Sequence, residues 1–433
     1  MTEATHVDKK LFLPQLPSST LTFATPGITS ESRDAVAELL KRAHIKYHCF
    51  FNERGFHTHL AHGILAAYAL GATPQRLREI YDNHASEQRP IGDIKKTFTE
   101  SDWKSELGDS TYYASYLEFF RNQVVEMGRV KAVTKYMFDN DFIARAFSGA
   151  FHPLIHVGYG LEFGVDGIVA EGLAMAAVTS TLMAPFVVRP ANPLEKVTNT
   201  VADQLTISKP DSPGKTIAEI LQAIREDHDL DDVTSYALGN KTNEVVKNKK
   251  VATKLNQYLA DWHVSENTQD IDEKSRELVI SCVLAVGGTG VRNGKVKQDF
   301  FLMHALTSVL FTYKYAHILE PAHAVSVLKS HLAVSMVYYI SRGRPPIDVE
   351  ALKNYQGNQQ LDTTNPWLTI LKRAIDINEV HATKVARSCA FADLLFGGED
   401  GYARMCQNTA LIALDLDGDW EFEGVGYDEA WEF

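Results

Sequence analysis

From Ser30 onward apolar residues recur at three- and four-residue intervals, the period of a helix with one buried face. Ser30 or Ser32 is placed to cap the run ESRDAVAELLKRAH, which carries acids near its start and bases near its end, as the helix dipole prefers. The next run, His57 to Leu70, is apolar on nearly all sides and stops at Gly71; Pro74 then opens another helix at its first turn. Helical periodicity continues through Tyr112–Met127, Gly167–Met183, Thr216–Arg225, Lys274–Val286, Phe300–Leu319, His323–Ile340, Leu368–Ile375 and Val380–Phe396. Strand candidates are two short runs, LTFAT and FVV, and the surface loops are Ser208–Gly214, Gly287–Gly294 and Arg342–Pro346. The pattern predicts an all-α fold, a large multi-helix globular bundle. Residues 31–414 form one domain, after an extended lead-in over residues 1–30 and before an acidic, aromatic-containing tail over residues 415–433.

Composition narrows the function classes. Apolar residues at 45% and charged residues at 23% suit a water-exposed globular protein with a sizeable core. The net charge is −12, and the segment after Arg404 holds eight acids and no base. No basic stripe exists to neutralise phosphates, which argues against nucleic-acid binding. The apolar stretch from Gly167 to Val188 contains Glu171 and many small residues, so it reads as a core helix and not a membrane span. Four cysteines (Cys49, Cys282, Cys389, Cys406) show no CxxC spacing and are expected as buried, reduced thiols. With no secretory signal pattern at the N-terminus, the expected location is cytoplasmic. Nothing in the sequence sets the oligomeric state.

Chemistry is concentrated in the histidines. His57, His59 and His62 fall in one turn, His152 and His156 bracket another, His304 stands in an apolar run, and His381 precedes Lys384 by three residues. Imidazole is the commonest transition-metal ligand among side chains, and a helical protein gathers such ligands from several helices around one buried ion. His59 and His62 share a helical face and can offer two ligands, a ligand and its support, or a hydrogen-bonded core pair. His304 reads equally as a core histidine with one partner. Lys384 lies on an apolar helix, where its amine must be paired, deprotonated, modified or extended to the surface. A second group, His317, His323 and His331, flanks Pro321 and is expected to diverge at a helix junction. Tyr112, Tyr113 and Tyr116 read as core and surface aromatics. Gly158, Gly160 and Gly164 have G-x-G-x3-G spacing, which is not the dinucleotide fingerprint. G-x-S-x-G, HExxH and cysteine–histidine patterns are absent.

Five segments, FHTHLAHGILAAYALGA, FHPLIHVGYGLEFG, DFFLMHALTS, SRGRPP and EVHATKVARS, appear in the same order in the questin oxidase-like proteins of fungal secondary metabolism. The chain resembles that family from about Phe51 to Phe396. The resemblance implies a non-haem iron dioxygenase that opens the quinone ring of an anthraquinone-type polyketide, with O2 and a small aromatic polyketide as its partners. It implies Fe(II) held by four histidines and a lysine carboxylated on its amine: His59 (chosen over His62), His156, His304, His381 and Lys384. His57, His62 and His152 then stand behind the ligands. Gly63 departs from the commoner His-His motif and excludes a ligand there. Four neutral imidazoles leave Fe(II) its full charge, and a carbamate on Lys384 supplies the anionic oxygen that a carboxylate gives in the usual facial site. The family also contains proteins described as Baeyer–Villiger oxidases, so an NADPH-dependent oxidase without bound iron is the alternative enzyme. A helical protein that shields a reactive polyketide is the non-catalytic alternative.

Overall fold

The computed structural model describes residues 7–15, 22–138, 142–190, 214–358, 361–362, 364–398 and 401–432. Among them the first half holds α1 (Ser30–Lys46), α2 (Leu60–Ala69), α3 (Pro74–Ala85), α4 (Tyr113–Met127), α5 (Arg129–Met137), α6 (Phe142–Phe147), α7 (His152–Phe163) and α8 (Asp166–Val178). The second half holds α9 (Ile217–Glu226), α10 (Lys241–Lys247), α11 (Lys249–Asp261), α12 (Thr268–Gly287), α13 (Phe300–Ile318) and α14 (Pro321–Ser341). It closes with α15 (Val349–Asn354), α16 (Pro366–Asp376), α17 (Val380–Phe396) and α18 (Tyr402–Leu416). No described helix is long and apolar enough to cross a membrane. The all-α expectation holds, and neither LTFAT nor FVV forms a strand among its described residues. The one small sheet is a hairpin of Val291–Arg292 with Lys295–Val296, closed by Asn293 and Gly294, both with positive φ. Asn-Gly between short β-prone runs is the usual signature of such a turn, and the predicted Gly287–Gly294 surface loop contains it. The Ser208–Pro213 part of the other predicted loop lies outside the described residues.

Local chemistry explains where helices start. Thr29, not Ser30 or Ser32, caps α1, and Ser32 closes the capping box by accepting from the Thr29 amide. Thr216 and Glu219 form the same box on α9. Helices α5, α6, α10, α11, α15 and α18 were not anticipated. Most are short or carry a narrow buried stripe, as in α11, where only Val251, Leu255 and Leu259 are buried.

The centre is built from helices that are apolar all round. Every residue of α7 and all but the first of α8 are buried. α7 packs on α8 and α13; α13 packs on α12, α14 and α17; α17 packs on α2 and α18. Gly160 and Gly172 set the α7–α8 spacing. A Cβ on Gly160 would lie 2.6 Å from the Val169 amide nitrogen, and one on Gly172 would lie 2.6 Å from that of Val157. The glycines with near-fingerprint spacing are therefore structural, not a phosphate loop: Gly160 faces α8, Gly158 faces Phe311 of α13, and Gly164 is the left-handed C-cap of α7. All four cysteines are buried and unpaired.

The acidic tail folds back on the bundle. Glu421 pairs with Asp299 in a parallel bridge, Trp420 and Trp431 are buried, and Arg292 holds Asp428 at 2.6 Å. A Gly172→Ala substitution should lower stability by about 1–3 kcal/mol, because overpacking against backbone outweighs the gain in helix propensity. Chemical denaturation of the purified variant measures this, and unchanged stability would mean that the α7–α8 seam has room to relax.

Candidate metal centre

Four histidines from four chain segments converge. His59 is the N-cap residue of α2, His152 opens α7, His304 lies in the second turn of α13, and His381 lies in the first turn of α17. One ring nitrogen from each lies within 4.8 Å of the others. His59 Nε2 is 2.7 Å from His152 Nε2 and 3.0 Å from His381 Nε2.

The opposite ring nitrogens fix what these atoms are. His152 Nδ1 lies 2.6 Å from the Gly149 carbonyl and His304 Nδ1 lies 2.7 Å from the Phe300 carbonyl. A carbonyl oxygen only accepts, so both Nδ1 atoms carry the proton. His381 Nδ1 donates likewise to Glu379 Oε1 at 2.7 Å, while Glu379 Oε2 caps α17 through the Ala382 amide. With Nδ1–H directed outward, each Nε2 in a neutral ring is a bare lone pair directed inward, the tautomer a metal requires. His304 Nε2 is buried with no hydrogen-bond partner at all. Burial, then neighbouring cations, hold His59, His152 and His304 well below the ordinary histidine range, and burial lowers His381 too. The rings are thus neutral at pH 7. Even if His59 presents an N–H, it can satisfy only one of the two lone pairs beside it. A cation among the four removes the conflict, so the donor set fits a metal ion.

Backbone strain positions one member. Gly149, Ala150 and Phe151 have φ of 58°, 53° and 62°, three consecutive left-handed residues just before His152. For Ala150 and Phe151 this costs on the order of 1–3 kcal/mol each. The turn aims His152 forward while its Nδ1 reaches back to Gly149.

Lys384 follows His381 by one turn and is 2% exposed. Its Nζ has no hydrogen-bond partner. Burial lowers its pKa to about 7, against a smaller opposing effect from Glu379, so much of the amine is neutral near neutral pH. It acts electrostatically on His59, His152, His304 and His381 alike.

The structure brings His59, His304 and His381 together and sets Lys384 beside them, but it does not bring in His156. His152 stands in the cluster instead. His156 Nδ1 meets His62 Nε2 at 3.1 Å, and its Nε2 donates to Glu171 Oε2 at 3.0 Å. Glu171 Oε1 accepts from His44 at 2.7 Å. Burial pushes Glu171 up, but the bonds from His156 and His44 more than offset it and hold the carboxyl near about 2. Both Nε2 and Nδ1 of His156 are thus committed behind the cluster. His62 stacks on His152 with ring centroids 6.1 Å apart, and His57 bonds Thr179 at 2.9 Å. His317, His323 and His331 diverge: His317 meets Asp272, His323 packs on Phe138, and His331 bonds Ser308.

A cavity of about 360 Å³ opens onto His59 and His152. Phe300, Phe301, Tyr338 and Phe422 line its apolar side, and Lys241, Arg342 and Glu423 its polar side. Phe422 comes from the tail and stacks on Phe300 with centroids 4.4 Å apart, and Phe300 in turn sits edge-on to His304. The tail is therefore a wall of the site.

Comparison with known proteins agrees with the family resemblance. The chain is 27% identical to a Baeyer–Villiger oxidase of Pestalotiopsis microspora over 92% of this chain and 88% of the relative. It is 26% identical to a Baeyer–Villiger oxidase of Paecilomyces divaricatus, covering 95% and 92%. It is 25% identical to the questin oxidase of Aspergillus fumigatus, covering 75% and 73%. The sequence profile of the questin oxidase-like family matches residues 56–389, a span that begins just before His57 and ends past Lys384, and the chain belongs to that family.

Proposed function

We propose that this protein is a non-haem iron-dependent dioxygenase that opens the quinone ring of an anthraquinone-type polyketide. The observation that carries the reading is the set of inward Nε2 lone pairs, with three Nδ1 protons tied to Gly149, Phe300 and Glu379. His59, His152, His304 and His381 would hold the metal, with a carbamate on Lys384 as the anionic oxygen donor. Iron bound there would supply a redox-active Lewis acid for oxygen activation. The chain's own residues do the rest. The Gly149–Phe151 turn and Glu379 fix ring orientation, the aromatic wall holds a flat ring system, and the folded-back tail limits water at the site. Carbamate formation needs a neutral amine and room around Nζ, and Lys384 has an unpartnered Nζ and a depressed pKa.

The names of the relatives favour one other reading, a Baeyer–Villiger oxidation that inserts oxygen beside a carbonyl. The two differ in reductant. A dioxygenase consumes no NADPH, whereas a Baeyer–Villiger monooxygenation consumes one reducing equivalent pair and resists chelation.

Protein purified without chelator should contain about one equivalent of iron, as one convergent donor set implies. Metal analysis with less than roughly a tenth of an equivalent, alongside full activity, would sink the iron reading. His152→Ala should cost at least about 100-fold in iron affinity, more than the loss of a residue supporting a ligand. His156→Ala should keep its iron and lose roughly 1–3 kcal/mol of stability, because Glu171 keeps only His44. Iron lost from the His156 variant and kept in the His152 variant would reverse these assignments. After incubation with ¹³C-bicarbonate, the protein should show a carbamate carbon resonance that is missing in Lys384→Arg; its persistence there would place the carbamate elsewhere.

A further inference from the structure

The motif Ser341–Pro346 holds two arginines that the metal centre does not use. Arg344 has a structural job: its guanidinium donates to the carbonyls of Ile224, Arg225 and Asp227 and pairs with Asp231 at 2.7 Å. Arg342 differs. It is 3% exposed, yet it lines the cavity that opens onto His59 and His152.

Apart from Lys384 at the histidine cluster, the other buried cations among the described residues have a carboxylate. Arg387 pairs with Glu162, and Lys241 pairs with Glu423. Among the described residues no carboxylate lies within ion-pair distance of Arg342. Its Nε donates to Ser341 Oγ at 3.2 Å and its Nη1 to the Phe422 carbonyl at 2.7 Å, both neutral oxygens. The guanidinium carbon sits 4.6 Å over the Phe301 ring. Asp299 feels this charge from beyond ion-pair distance; its Oδ1 accepts from the Phe301 and Leu302 amides, and its Oδ2 is buried without a hydrogen-bond partner. A guanidinium held out of water with only neutral partners is costly, and its planar fork suits an oxyanion. The cavity as a whole carries Arg54, Lys241 and Arg342 against Glu423, in a chain whose net charge is −12.

We propose that Arg342 is the recognition site for an oxyanion, a carboxylate or a phenolate, carried on the planar aromatic substrate. Phe301 and Tyr338 stack beside it with centroids 5.6 Å apart, so the charged group and the ring are met by one wall. His59 and His152 line the same cavity as Arg342, so a substrate held by its oxyanion there shares the space with the histidine cluster. The inference rests on the aromatic-substrate reading above and adds the charge that orients the ring.

Binding can be followed by quenching of tryptophan fluorescence with two probe pairs. One pair is anthraquinone-2-carboxylate and the neutral anthraquinone-2-carboxamide. The other is 2-hydroxyanthraquinone and 2-methoxyanthraquinone, at a pH where the phenol is ionised. At least one anion should bind about tenfold or more tighter than its neutral partner, and the pair that discriminates names the source of the oxyanion. That preference should vanish in Arg342→Met, with the neutral probe bound as before, and should weaken with added salt in the unaltered protein. The salt series needs no variant, so it stands if Arg342→Met loosens the tail. Equal binding within both pairs, or a preference that survives Arg342→Met in folded protein, overturns the assignment while leaving ring binding intact. Binding of no probe overturns both the assignment and the aromatic-substrate reading.

Discussion

The site depends on a crowding of lone pairs. Three imidazoles spend their Nδ1 protons outward on Gly149, Phe300 and Glu379, which leaves their Nε2 atoms with nothing to donate. Those atoms then meet one another and His59 in a dry interior, where repulsion between lone pairs is poorly screened. The protein maintains this because each outward bond belongs to a different element: the strained turn before α7, the first turn of α13 and the cap of α17. None of the three can relax without moving a helix packed in the core. That is the arrangement by which a folded chain preorganises a metal site, with the cost met by packing elsewhere.

Helix period makes α8, α13 and α17 legible, because they are long apolar runs, and the acidic residues Asp299 and Glu379 cap the last two. α10 spans only seven residues, too short for a period to declare itself, and α11 shows only the single apolar line Val251, Leu255 and Leu259 in a lysine-rich segment that packs on α14. In the site, His59, His304, His381 and Lys384 came from the resemblance and are now seen side by side. His152 and His156 lie four apart on the same face, so periodicity cannot choose between them. The choice is made by a backbone turn in which Ala150 and Phe151 take left-handed conformations, and by Glu171, whose carboxylate draws His156 to the rear. Neither residue is near His156 in a way that sequence spacing reveals: Glu171 sits on α8, and the turn depends on tertiary support.

The tail shows a second limit of composition. Its eight acids suggested a solvated appendage, while its aromatics suggested a fold-back. The aromatics prevail because each acid that approaches the body finds a specific partner. Glu423 meets Lys241, Asp428 meets Arg292, and Glu421 approaches Lys297 at 3.4 Å while accepting the Glu423 amide. Trp420, Val425 and Trp431 then bury apolar surface that fixes Phe422 against Phe300. A charge excess that would repel itself in isolation becomes complementary to Lys241, Arg292 and Lys297 of the body.

Buried charge elsewhere in this interior is answered locally. Glu162 answers Arg387, and His44 and His156 answer Glu171. Two demands at the cavity beside the histidines have no such answer within the described residues. The imidazole lone pairs call for a cation, and the Arg342 guanidinium calls for an anion. The demands are opposite in sign and lie on walls of one space of about 360 Å³, within the size range of small-molecule sites. A cation alone would add to the positive charge already buried on Arg342. A metal cation on one wall and an aromatic oxyanion on the other meet both demands and keep the filled cavity closer to neutrality. On the reading proposed above, an anion at Arg342 and a cation among the histidines would each strengthen binding of the other.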